Sequence, residues 1–259
     1  MGEWTAMHYT QFDNLKNAPR LAHGVFSRNG GLSPPPFASL NVGLGIGDSE
    51  ALVLKNRDAI ARTMGFSRTL FLNQTHGKRV LVLKRESGPG SSQPNRHDLS
   101  ADGAVTDIPG LLLFIQTADC QAVMLHDPVK GVAANIHSGW KGSAANIIGA
   151  GVETMKTEFG SDPLNILAGI GPSLGPCCAE LVNYRTELPR NAWQYRREGQ
   201  SCHFDFWRMS RDQLVDRGVR SGNIELSGTC TQCASEHYFS FRRNRTTGRF
   251  ASVIGLKPR

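Results

Sequence analysis

Three short segments each place a metal-binding or nucleophilic side chain at the edge of an apolar run. They are Asn73-Gln74-Thr75-His76-Gly77, Thr117-Ala118-Asp119-Cys120 and Asn135-Ile136-His137-Ser138-Gly139-Trp140-Lys141-Gly142. Two imidazoles and one thiolate suit Zn²⁺, and three protein ligands with a fourth position open is the catalytic zinc pattern. One thiolate leaves such a centre with net positive charge, able to hold an anion or lower the pKa of a water. Copper takes similar ligands and is the alternative ion. Each residue also has an ordinary reading: a His beside Gly as a turn residue, a strand-end Cys as core filling. The three are far apart in the chain, so spacing alone leaves both readings open.

Several polar residues could complete a site for an anionic substrate. Arg57 shares a helical stripe with Val53, Ile60 and Met64, and a guanidinium on an apolar face needs a partner. That partner is a phosphate or ribose at the pocket, or an internal salt bridge. Lys141 follows His137 by about one helical turn, in a glycine-flanked segment leading into a helix, so it reads as an anion contact or a solvated lysine. Asn41 could present its amide to substrate or stabilise a turn. Arg242 and Arg243 lie between an aromatic run and a turn at Thr247-Gly248, where strand alternation would aim one of them at the pocket. Asp119 could orient a histidine from behind, or simply end a strand. Cys230 and Cys233 form a Cys-x-x-Cys, and Cys177-Cys178 invites a second, structural zinc. Adjacent cysteines rarely both ligate one ion, which argues against it. His126, in Leu-His-Asp-Pro, reads as a strand end.

The elements that must position these residues follow from periodicity. Ser49 to Met64 is an amphipathic helix that Gly65 can cap. Ser143 to Phe159 carries Ile148, Val152, Met155 and Phe159 at helical offsets, with Gly160 after it. Phe206 to Val219 is a third helix, and a short fourth is expected near Cys178. Short apolar runs predict strands at Val80–Leu83, Leu111–Thr117, Ala122–Leu125, Val132–Ile136, Ile166–Ile170, Ile224–Leu226 and Phe250–Ile254. Strands that follow one another directly favour an α/β fold of α+β type, a mixed-sheet sandwich, over a doubly wound parallel sheet. Gly30–Pro36 and the Ser-, Gly- and Pro-rich stretch from Ser87 to Asp98 read as loops.

Composition narrows the class. Of 259 residues, 39% are hydrophobic and 20% charged, as in an ordinary globular protein. The N-terminus shows no secretory pattern, and the longest purely apolar run, Leu111 to Ile115, is too short to span a bilayer. The expectation is a cytoplasmic protein. Six cysteines are too sparse for a disulfide scaffold. The net charge of +7 is scattered, densest at Arg242, Arg243, Arg245 and Arg249. That distribution suits small anions such as phosphate better than nucleic acid. No membrane and no protein partner is implied.

Taken together, the motifs resemble the laccase-domain family, also known as YfiH-type or polyphenol oxidase family proteins. The matching residues are Ser39-Leu40-Asn41, Asn56-Arg57, Gln74-Thr75-His76-Gly77, Ala101-Asp102-Gly103 and Thr117-Ala118-Asp119-Cys120. They continue with His137 to Gly142, Gly171 to Cys178, Cys230-Thr231, Phe239 to Arg243 and Thr247-Gly248-Arg249. The match runs in order from about residue 20 to the C-terminus. The resemblance implies one zinc ion held by His76, Cys120 and His137, the catalytic residues. It also implies a purine nucleoside phosphorylase acting on adenosine, inosine, guanosine and methylthioadenosine with phosphate, with adenosine deaminase activity in some members. The fold implied is a single domain over residues 1–259, similar to the catalytic domain of cytotoxic necrotizing factor. Ser138 and Lys141 stand where the family often has Ala and Arg, and neither removes a ligand.

Two rival chemistries remain. A copper-dependent polyphenol oxidase, or laccase, of the multicopper kind needs many imidazoles. This chain has eight histidines and no His-x-His. A metal-free cysteine hydrolase or amidase, of the kind that edits cell-wall precursors, would use Cys120 as nucleophile activated by His137 or His76.

Overall fold

The computed structural model describes residues 7–85, 99–199 and 202–258. The Ser87–Asp98 loop expected from the sequence lies outside them. In chain order the elements are β1 (Tyr9–Thr10), α1 (Asp13–Lys16), β2 (Leu21–Phe26), α2 (Glu50–Met64), β3 (Arg68–Phe71), β4 (Val80–Leu83), β5 (Gly103–Thr106), β6 (Leu111–Thr117), β7 (Gln121–Asp127) and β8 (Val132–Ser138). They continue with α3 (Trp140–Ala144), α4 (Ile147–Phe159), β9 (Leu167–Ile170), α5 (Tyr184–Glu187), α6 (Phe206–Asp216), β10 (Ile224–Leu226) and β11 (Phe250–Leu256).

The strands form two mixed sheets, β1-β2-β11-β6-β3 and β10-β9-β7-β8-β5-β4. They stack face to face with helices outside, as expected of a mixed-sheet sandwich. The alternation of β6 shows how an unbroken apolar run serves two layers. Leu111, Leu113 and Ile115 enter the core between the sheets, with Met124, Ala133, Phe250 and Ile254. Leu112 and Phe114 point the other way, onto Ile60 and Ala61 of α2. On the far side, Val123, Leu125, Ala134 and Ile136 of the second sheet pack against Ile148, Val152 and Met155 of α4 and Leu214 of α6.

Helix ends follow local chemistry. Gly65 closes α2 at φ 79°, its N–H donating to Ala61 and Arg62 carbonyls, a left-handed cap that suits glycine. The single helix expected over Ser143–Phe159 is two. Asn146 turns left-handed at φ 56° and its side chain accepts from the Gly149 N–H, so α3 ends and α4 starts afresh. No helix forms at Cys178. The Cys178 and Ala179 amides both bond to the Gly175 carbonyl, and Glu180 then pairs with His203 as an isolated bridge, drawing the chain out of helical geometry. Among the described residues no helix is long and apolar enough to cross a membrane.

Candidate metal centre

Each member of the triad sits where the chain changes course. His76 lies on the connection from β3 in the first sheet to β4 in the second. Cys120 ends the tight turn from β6 to β7, which makes the same crossing, and His137 is the penultimate residue of β8. The crossings bring the three together, with one ligand atom from each lying within 4.8 Å of the others. Cys120 Sγ is 3.8 Å from His76 Nε2, and the two imidazoles meet edge to face at 4.8 Å between centroids. Tetrahedral zinc, with bonds of about 2.0–2.3 Å, sets its donors roughly 3.5 Å apart, so the donor set fits one ion.

Asp102, fully buried just ahead of β5, builds the centre from behind. Its Oδ1 accepts from His137 Nδ1 at 2.8 Å and from the His76 N–H at 2.8 Å. Its Oδ2 accepts from the Gly77 N–H at 2.8 Å, the Thr75 hydroxyl at 2.9 Å and the Thr75 N–H at 3.2 Å. His76 is left-handed, at φ 60°, a conformation costing a non-glycine residue about 1 kcal/mol. The three consecutive amides on Asp102 hold it there. With the His137 Nδ1 proton directed at the carboxylate, Nε2 is left as the donor facing Cys120. The sequence motifs include Asp102 without this role, and Asp119 reads there as either orienting a histidine or ending a strand. Asp119 instead accepts from Thr231 Oγ1 at 2.8 Å and the Arg242 N–H at 2.6 Å, tying the cysteine turn to two other loops. The acidic partner of a buried imidazole leaves no spacing signature, so only the fold identifies it.

The electrostatics follow from this contact set. Burial alone would raise the Asp102 pKa, but hydrogen bonds from His137, Gly77 and Thr75 hold the carboxyl well below the usual range. Burial pushes the Cys120 thiol up, and hydrogen bonds from His137 and His76 outweigh it, bringing it down to about 6. His137 feels burial in the opposite sense, yet Asp102 and then Cys120 raise it to about 9. Without a metal the centre favours a thiolate beside an imidazolium. Gly139 allows the close approach, since a Cβ there would lie 2.8 Å from His76 Cδ2 and 3.0 Å from Cys120 Sγ.

His76 and Cys120 line a cleft of about 420 Å³, whose apolar walls include Trp140, Leu174, Phe206 and Phe241 and whose cations are Arg242 and Arg245. His137 is buried immediately behind them. Of the substrate residues expected from sequence, Arg242 lines the cleft, and its Nη2 also donates to the Glu180 carbonyl at 2.8 Å. The other three are placed elsewhere. Arg57 donates Nε to the Val42 carbonyl at 2.8 Å and stacks 3.8 Å over the Phe71 ring. Within the protein the guanidinium therefore meets a carbonyl and an aromatic face, and no carboxylate is paired with it among the described residues. Asn41 is fully buried, accepting from the Gly43 and Arg249 amides. Lys141 is exposed, its Nζ 5.3 Å from the Trp140 ring centre. Arg245, singled out only as part of the densest cationic cluster, is in the cleft.

Comparison with known proteins places these residues in a wider set. A family model described as multi-copper polyphenol oxidoreductase laccase matches residues 22–257. The chain is 35% identical over 246 residues to the purine nucleoside phosphorylase YlmD of Geobacillus stearothermophilus, covering 90% of this chain and 89% of that protein. It is 33% identical over 236 residues to the purine nucleoside phosphorylase YfiH of Escherichia coli (strain K12), covering 89% and 91%. The crystal structure of YlmD from Geobacillus stearothermophilus superimposes with a TM-score of 0.83 at 31% identity, over 100% of this chain and 98% of that one. That of the Bacillus licheniformis hypothetical protein YfiH gives 0.82 at 34% identity, over 93% and 95%.

Proposed function

The chain belongs to the laccase-domain family of YfiH-type proteins, and on that footing we propose that it is a zinc-dependent purine nucleoside phosphorylase. The observation that carries the reading is the convergence of His76, Cys120 and His137 at the floor of a cleft with aromatic walls and two arginines. Substrates would be adenosine, inosine, guanosine or methylthioadenosine, with adenosine deamination as a side activity. Two of the ligands lie on connections that join the sheets, so residues 1–259 would act as one domain. A bound zinc would supply a positive centre that holds an anionic co-substrate or acidifies a water.

The chain's own residues would do the rest. Trp140, Phe206 and Phe241 offer flat apolar faces for a purine. Arg242 and Arg245 would hold phosphate and orient one of its oxygens toward the ribose C1′. As that oxygen bonds to C1′, the C1′–N9 bond breaks, its electron pair leaves with the purine, and the products are ribose 1-phosphate and the free base. Asp102 keeps the His137 proton on Nδ1, so the imidazole neither rotates nor changes tautomer while charge develops in the cleft.

The donor inventory does not suit several coppers. His23 Nε2 accepts from the Phe12 amide and His126 Nδ1 meets the Val132 carbonyl, both buried. Among the described residues, the histidine-bearing donor groups are this triad and Glu180–Cys202–His203. A second reading is favoured by one observation: the Asp102–His137–Cys120 chain has the order of a thiol hydrolase triad. That reading takes the metal-free state, with an amide such as a cell-wall precursor as substrate.

Incubation with inosine and phosphate is the test. Release of hypoxanthine and ribose 1-phosphate, lost together with one zinc in His76→Ala and Cys120→Ala, is the expected result. No product from any of the four nucleosides overturns the phosphorylase. Fast alkylation of Cys120 in a protein that purifies without metal at the triad supports the hydrolase.

A further inference from the structure

The fold gathers a second donor set that sequence spacing argued against. Cys177, Cys178, Cys230 and Cys233 place all four Sγ atoms within 4.8 Å of one another. Cys233 Sγ lies 3.8 Å from Cys177 Sγ and 3.6 Å from Cys178 Sγ. A disulfide would hold two sulfurs at about 2.0 Å, and all four thiols are free. Zinc with four thiolates at about 2.3 Å spaces the sulfurs roughly 3.8 Å apart along each edge of the tetrahedron. The observed separations match that edge.

Local backbone explains the convergence. The Cys178 amide bonds back to the Gly175 carbonyl at 2.9 Å, so the adjacent cysteines lie on a tight turn rather than on an extended strand that would send them to opposite faces. Across from it, Cys230-Thr231-Gln232-Cys233 forms another turn, closed by the Ala234 amide on the Cys230 carbonyl at 2.9 Å. The Gly175 and Cys233 amides lie beside the Cys230 sulfur, where backbone N–H groups can steady a metal-bound thiolate. Gly175 permits the approach of the two turns. A Cβ there would stand 2.7 Å from Trp207 Cη2 and 3.2 Å from Cys230 Cβ.

We propose that Cys177, Cys178, Cys230 and Cys233 hold a second metal ion, a structural zinc in a closed tetrathiolate site. On binding, four thiols release four protons and one Zn²⁺ gains four thiolates, leaving a centre of net charge −2. Arg196, Arg197 and Arg208 line the surface depression beside Cys177 together with Glu198 and Asp205, leaving one net positive charge beside that centre. With every coordination position filled by protein, the ion does no chemistry. Its work is to join two loops. The Gly175 turn lies between Leu174 and Glu180, and the Cys230 turn leads to Phe241 and Arg242, all four of which line the cleft. The second ion fixes the cleft wall, and its existence does not depend on what the His76 centre catalyses.

The test is metal analysis of the reduced full-length chain. Two zinc equivalents are expected, falling to one in Cys233→Ser, to one in His76→Ala and to none in the double variant. After cobalt exchange, the strong thiolate-to-metal charge-transfer absorption should survive His76→Ala and largely vanish in Cys233→Ser. Should Cys233→Ser fail to fold, alkylation of the zinc-loaded wild type decides the matter. Cys202 should label at once, and the four cluster thiols only after chelation. One equivalent that Cys233→Ser retains, rapid labelling of the four thiols in zinc-loaded protein, or a mass two or four hydrogens light from disulfides overturns the proposal.

Discussion

The two donor clusters flank one cleft and are built on opposite plans. The His76–Cys120–His137 group stands on strand ends and crossings of the sandwich, and a buried carboxylate bonds to the backbone or side chain of both histidines. The four-cysteine group stands on two surface turns, and backbone amides lie beside its innermost sulfur. As the proposed metal sites, three mixed donors would leave a position for substrate and four sulfurs would leave none. The first arrangement needs rigidity supplied from outside the ligand set, because an open centre cannot be held by the ion alone. The second would take its rigidity from the ion itself, so two surface turns would suffice to carry it.

The largest effect should come from removing that outside support. Asp102→Ala leaves the His137 imidazole and three amides without their buried acceptor, and is expected to cost about 3–5 kcal/mol of stability by denaturant unfolding. The milder Asp102→Asn should weaken zinc at the triad by about 10–100-fold in a chelator competition, with the cysteine cluster still loaded. Equal loss of both ions would erase the distinction drawn here. A pair of glycine substitutions sharpens it next. Gly139→Ala places a methyl against His76 and Cys120, and is expected to lower zinc affinity at the triad alone. Gly175→Ala, pressed against Trp207 and Cys230, should lower it at the cysteine cluster alone. An overpacking cost of about 1–3 kcal/mol corresponds to roughly 5–150-fold in each affinity.

Smaller effects separate the cleft from its scaffold. Arg245→Ala should raise KM for phosphate by about 5–30-fold, equivalent to about 1–2 kcal/mol for a lost charged hydrogen bond, with the zinc content unchanged. Arg57→Ala should leave that KM alone and instead lower stability by about 1–2 kcal/mol, through the lost carbonyl bond and ring stacking. A phosphate KM that tracks Arg57 and ignores Arg245 would return the anion site to the α2 stripe where sequence reasoning placed it.

That exchange of roles shows where a linear sequence stops being informative. The strands β4, β6 and β10 were legible with their observed limits, because each is a short run in which apolar residues predominate. β7 and β8 run on past their apolar cores to Asp127 and Ser138, because ladder pairing with each other carries polar residues into the sheet. β2 escaped notice because His23 and Gly24 break its pattern, β5 because Gly103, Ala104 and Thr106 are small or polar, and β3 because it opens on Arg68-Thr69. In the site, the ligand-type residues stood out by chemistry and by their place at strand ends. Asp102 did not, since its partners at Thr75–Gly77 and His137 are neighbours only across the folded sheet. Asn146 likewise could interrupt a helix only through its own backbone turn, which no hydrophobic stripe records.

The carboxylate of Asp102 has one more consequence. Its Oδ1 alone meets the His76 amide and the His137 ring, so the two imidazoles share one mechanical origin. A disturbance that releases one releases the other. With zinc bound there as proposed, stripping the ion should therefore proceed in a single concerted step, with no accumulating form in which Cys120 and one histidine still hold it.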